Sequence, residues 1–139
     1  MTRQDEKNMR IAKVGRLSDA EQVSFGPLAH YHLLIGDGET EIRTGIQTSQ
    51  PGYRAPMHWH PYLELLFIIE GKAEAWLEGD EDDPIKLDAG DCIALPPNVP
   101  HTFRVVGKEP MRLLGIHHNA DRVVNYLKGK SDENGYPTL

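Results

Sequence analysis

From His30 to His117 the chain is cut into eight short segments by glycine, proline and aspartate, and that punctuation commits it to a β fold. The segments are His30–Ile35, Glu41–Thr48, Leu63–Glu70, Ala73–Glu78, Ile85–Leu87, Cys92–Leu95, Thr102–Val106 and Met111–His117. No helical period runs through them, and turn residues such as Pro51-Gly52, Gly71, Ala89-Gly90 and Pro96-Pro97-Asn98 separate them. Many short strands at close spacing indicate an all-β sandwich or barrel. Leu63, Leu65, Phe67 and Ile69 share one strand face, while Leu66 and Ile68 continue the face of Glu64, so this strand is expected to be buried on both sides. One short C-terminal helix is expected. Asn119 offers a cap, Asp121 favours the positive end, Val123, Val124 and Leu127 mark an apolar side, and Gly129 stops it. Residues 1–12 read as an N-terminal arm, 13–128 as one β domain, and 129–139 as a polar tail.

His58 and His60 are two apart, so on an extended strand both rings point to one face. Glu64 returns to that face if the strand continues, and His101 has to come from a different strand crossing the same interior. Unpaired polar groups are costly inside a β domain. A single buried histidine usually finds an ordinary hydrogen-bond partner. Three of them with a carboxylate are better served by one first-row divalent cation, for which imidazole and carboxylate are the usual ligands.

At these residues the sequence resembles a cupin. Gly52-x5-His58-x-His60-x3-Glu64-x6-Gly71 matches the family's first motif at every fixed position. By average residue usage, that set recurs by chance at roughly one start in a million or fewer. Gly90-x5-Pro96-x-Asn98-x2-His101 matches the second motif, except that Asn98 replaces a glycine and Val105 an asparagine. Asparagine tolerates left-handed turn geometry better than most residues, and position 105 is not a metal ligand. The resemblance implies a double-stranded β-helix, or jelly-roll, barrel. It implies one divalent metal on His58, His60, Glu64 and His101, with iron or manganese favoured and zinc, nickel, copper or cobalt also accepted. Glu64 is expected either to ligate or to serve as the catalytic general base. Cupins commonly pair through edge strands, so a homodimer using His30–Ile35 and the preceding arm is expected.

Other residues carry weaker signals. His117 or His118 ends the last strand and could line the barrel mouth; His30 and His32 share another strand face. Arg54, Tyr53 and Tyr62 flank the first motif, where they either orient a substrate or cover apolar surface. Trp59 should point away from the metal. Cys92 reads as a small buried hydrophobe, and Asp80 to Asp83 as a solvated hairpin loop rather than a calcium loop. Leu66, Ile68 and Phe103 are expected to shape the pocket.

A formal charge of −6 argues against a nucleic-acid footprint or an anionic membrane surface. One cysteine suits a reducing compartment, and the polar first ten residues resemble no secretory signal, so a cytoplasmic protein is expected. Two functions fit. One is an enzyme using the metal on a small organic substrate, by the dioxygenase, decarboxylase, isomerase or lyase chemistry that the resemblance implies. The other is a non-catalytic sensor or storage barrel for a metal or metabolite. The complete ligand set favours the enzyme.

Overall fold

The structure, a computed structural model, describes residues 2–3, 10–127, 130–131 and 137–138. Most of the expected arm and tail, with Gly129, therefore lies outside the described residues. All eight expected segments form strands, three short strands join them in the two main sheets, and Lys130–Ser131 pairs with Pro137–Thr138 in a separate two-stranded ribbon. In chain order the strands of the main sheets are β1 (Gln22–Ser24), β2 (Ala29–Ile35), β3 (Arg43–Ser49), β4 (His58–Trp59), β5 (Glu64–Glu70), β6 (Lys72–Leu77), β7 (Ile85–Asp88), β8 (Cys92–Leu95), β9 (His101–Val106), β10 (Met111–His117) and β11 (Asn125–Tyr126). They make two antiparallel sheets, ordered β1-β2-β3-β10-β5-β8 and β11-β4-β9-β6-β7. The result is a jelly-roll barrel.

Alternation sets its inside. On β5, Glu64, Leu66 and Ile68 are buried and lie beside His117, Gly115 and Leu113 of the neighbouring β10; from the other sheet, Ala73, Ala75, Phe103 and Val105 close the core. Val105 thus serves packing. The motif glycines have a backbone reason: Gly52, Gly71 and Gly90 have φ of 93°, 83° and 96°, a region that costs a Cβ-bearing residue steric strain. Asn98 takes the same left-handed turn at φ 66°, as its tolerance of that region predicts.

Trp76 alternates with the inward Ala75 and so sits on the outer side, yet it is only 1% exposed. The guanidinium groups of Arg54 and Arg104 lie over its ring at 5.0 and 5.1 Å. Arg54 therefore covers apolar surface, as one of its two readings had it, and it also pairs with Glu81 at 3.4 Å in the exposed acidic hairpin loop.

Four expectations are corrected. Among the described residues no helix follows Asn119: the segment runs extended, and β11 pairs with β4. The Leu127 amide bonds the Met57 carbonyl and the Val123 amide bonds the Tyr62 hydroxyl. These tertiary hydrogen bonds, with two β-branched valines, outweigh the local capping signal. The β5 strand is buried on one side only, since Phe67 and Ile69 are 38% and 41% exposed; a barrel wall here has no second layer outside it. Cys92 is exposed, because it pairs with Phe67 on the outward side of the edge strand β8. His30 to His32 is no open edge, because β1 is hydrogen-bonded along it.

Candidate metal centre

His58 and His60 come from β4 and the turn after it, Glu64 opens β5, and His101 opens β9 directly opposite His58. One ligand atom from each of the four lies within 4.8 Å of the other three. His60 Nε2 and His101 Nε2 stand 3.3 and 3.2 Å from Glu64 Oε1. Two ligands at right angles about an ion, each about 2.1 Å from it, stand about 3.0 Å apart. The spacing therefore fits neighbouring ligands of one cation.

Hydrogen bonding fixes which nitrogen of each ring faces inward. His58 Nδ1 meets the Pro56 carbonyl at 2.7 Å, His60 Nδ1 the Val123 carbonyl at 2.7 Å, and His101 Nδ1 the Val99 carbonyl at 3.2 Å. A carbonyl only accepts, so each Nδ1 carries the proton and each Nε2 turns to the interior. His60 Nε2 and His101 Nε2 are buried and make no hydrogen bond, since an unprotonated ring nitrogen and a carboxylate oxygen are both acceptors despite the short distances. Two orphaned nitrogens beside a buried carboxylate are an expensive arrangement in a protein without a cation. A divalent ion satisfies them together.

Electrostatics agree. Burial, with His101 close by, pushes His58 down to about 3, so its ring is neutral and ready to ligate. Burial alone would raise the Glu64 carboxyl; His117 nearby, with its hydrogen bond to Oε2 and the His101 and His60 rings alongside Oε1, overcomes this and holds it well below the usual range. The His58 shift has a consequence for metal-free protein. Its folded value lies below its ordinary 6.5, so the unfolded chain binds the extra proton between those limits. Apo stability is expected to fall as pH drops from about 6.5 towards about 3, and urea midpoints at pH 7.5 and pH 5 check this: the lower pH should give the lower midpoint.

The ligand atoms open into a cavity whose walls include Phe25, Tyr31, Tyr53, Leu66 and Phe103, with Gln47, Arg122 and Tyr126 adding polar atoms. Gly45 makes part of this room, because a Cβ there would sit 2.0 Å from the Tyr31 hydroxyl oxygen. Leu66 and Phe103 shape the cavity as expected; Ile68 is buried in the core and does not line it.

Of the weaker candidates, His117 joins the site. Its Nε2 is 2.5 Å from Glu64 Oε2, and its Nδ1 is 2.7 Å from the Tyr62 hydroxyl. His118 is exposed and turned away; its backbone amide bonds the Leu63 carbonyl. Tyr53 and Tyr62 are both 7% exposed, and burial pushes each phenol up to about 12. His30 and His32 pack edge to face on β2, outside the cavity lining. Trp59 sits between the ligands, half-buried and outside the lining. The inward place of His117 was legible as the continuation of Met111, Leu113 and Gly115 on one strand face. Tyr31, Gln47 and Arg122 carried no local signal, since only the closed barrel brings them near the ligands.

A family profile described as "Cupin domain" matches residues 45–117. The polyketide synthase CurC of Streptomyces cyaneus is 36% identical over 78 residues, covering 55% of this chain and 49% of its own. The dimethylsulfoniopropionate lyase DddQ of Ruegeria pomeroyi is 31% identical over 87 residues, covering 60% of this chain and 42% of its own. In fold, the chain is similar to Bacillus subtilis oxalate decarboxylase, in a structure concerned with its Mn(II) centres. The TM-score is 0.70 at 23% identity, over 81% of this chain and 31% of the decarboxylase. The chain thus spans half or less of the length of these relatives. Among the described residues, no helix is long and apolar enough to cross a membrane.

Proposed function

Because the chain belongs to the cupin family, we propose that it is a metal-dependent enzyme acting on a small organic molecule that presents two oxygens to the ion. The pair of orphaned Nε2 atoms on His60 and His101, aimed at one point beside Glu64, carries this reading. Manganese(II) or iron(II) is the proposed metal. Oxygen and imidazole donors without thiolate suit both, and the likeness to a decarboxylase with Mn(II) centres favours manganese. Bound there, the ion supplies Lewis-acid polarisation of a substrate oxygen or a place for dioxygen.

The chain's own residues do the rest. His58, His60, His101 and Glu64 hold the ion, and the carbonyls of Pro56, Val123 and Val99 keep the three rings turned inward. Both Glu64 oxygens are engaged, one beside the histidines and one by His117, so we assign it to holding the cation rather than to general base work. Phe25, Tyr31, Tyr53 and Phe103 exclude water around a planar, apolar substrate body. Relatives named for polyketide synthesis, a lyase reaction and oxalate decarboxylation support substrates rich in carbonyl or carboxylate oxygen.

The test is reconstitution with Mn(II) or Fe(II), then incubation under air with a 1,3-diketone, a 2-oxo acid and oxalate. We expect metal-dependent substrate loss with at least one, and dissolved oxygen identifies dioxygenation if it falls in step. Tight retention of these compounds with no turnover under either metal would assign the barrel to binding instead.

A further inference from the structure

We propose that Tyr62 and His117 form a positioning pair that keeps Glu64 a one-oxygen ligand; this rests on the four-residue metal site above. The hydrogen-bond chain is directional. The Val123 amide donates to the Tyr62 hydroxyl at 3.3 Å. That hydroxyl meets His117 Nδ1 at 2.7 Å, and His117 Nε2–H donates to Glu64 Oε2 at 2.5 Å, because a carboxylate only accepts. Glu64 Oε1 is left beside His60 Nε2 and His101 Nε2. Tyr62 also stacks on the His60 ring, with centroids 5.0 Å apart and planes within 15°. Val123 fastens both arms, its carbonyl on His60 and its amide on Tyr62.

The consequence lies in the count of open positions. A carboxylate free to rotate brings its second oxygen onto a divalent ion and occupies one more place. His117 holds that second oxygen away. Three imidazoles and one carboxylate oxygen then leave two places on a six-coordinate ion, as a substrate binding through two oxygens requires. Without the pair, only one remains.

The full chain is titrated with Mn(II) as the parent, His117→Ala, His117→Gln and Tyr62→Phe, and read by competition for metal affinity and by Mn(II) electron paramagnetic resonance. His117→Ala is expected to lose about 10- to 100-fold in affinity and to change the zero-field splitting of the spectrum. His117→Gln keeps an N–H donor towards Glu64 and is expected to restore the parent spectrum. Tyr62→Phe should move both readouts in the direction of His117→Ala, and it serves alone if the alanine variant does not fold. Unchanged affinity and spectrum in the folded variants overturn the pair while leaving the metal site standing. A parent that takes up no Mn(II) overturns the site, and the pair with it. Echo-modulation spectra showing a fourth imidazole nitrogen on the ion overturn the pair too, since His117 is then itself a ligand.

Discussion

Replacing His58 and His101 together by alanine is expected to abolish metal binding while leaving the barrel folded. The two rings face each other across β4 and β9, their centroids 4.5 Å apart, and contribute half of the ligand set. Loss of groups that merely orient a ligand already costs about 10- to 100-fold in metal affinity, so loss of two ligands should exceed the upper figure. Folding should survive. His101 is fully buried, but its Nε2 has no hydrogen-bond partner, so its removal also removes an unsatisfied polar atom. Elemental analysis after Mn(II) loading should fall from about one ion per chain to background, with the far-ultraviolet circular dichroism of a β protein unchanged. Metal content equal to the parent's would show that the ion sits elsewhere.

The opposite separation is expected at Trp76. Truncation to alanine should cost about 3–5 kcal/mol, the range for large buried aromatics, which is a large share of the roughly 5–15 kcal/mol that holds a domain of this size. The residue is 1% exposed, and two guanidinium groups lie over its ring on the outer side of its sheet. Removing Arg54 alone should cost about 1 kcal/mol or less, since an exposed cation over a ring contributes little and Arg104 remains. Urea denaturation measures both. Trp76 does not line the cavity, so the folded fraction of Trp76→Ala should bind Mn(II) with the parent's affinity. An equal loss of metal affinity would couple the outer face to the site in a way the packing does not show.

His58 and His101 also mark what was legible in the sequence. The spacing of His58 and His60 is local information, and period-two geometry turns it into a shared face; the strand does not continue to Glu64, which reaches them from β5 in the other sheet after the turn that follows β4. His101 was legible only through its motif; the barrel supplies the proximity. The strands from Ala29 to His117 were readable because each is bounded by residues that force a turn, as at Gly71, Gly90 and Asn98. Where neighbours across the barrel decide, the sequence misled. Asn119 to Leu127 carries a fair capping signal, but hydrogen bonds to Tyr62, His60 and Met57 draw it out straight. Phe67 and Ile69 are apolar enough for a core, yet they stand on the outer face of a single-layered wall. Cys92 follows Phe67 outward by register. Tyr62 and His117 are 55 residues apart, and nothing short of the closed fold links them to Glu64.

Crystals of the Mn(II)-loaded protein, measured near the manganese absorption edge, test the site most directly. One anomalous peak is expected within about 2.5 Å of Nε2 of His58, His60 and His101 and of Oε1 of Glu64. A peak bound to other side chains, or four well-ordered ligand residues with no peak between them, would contradict it.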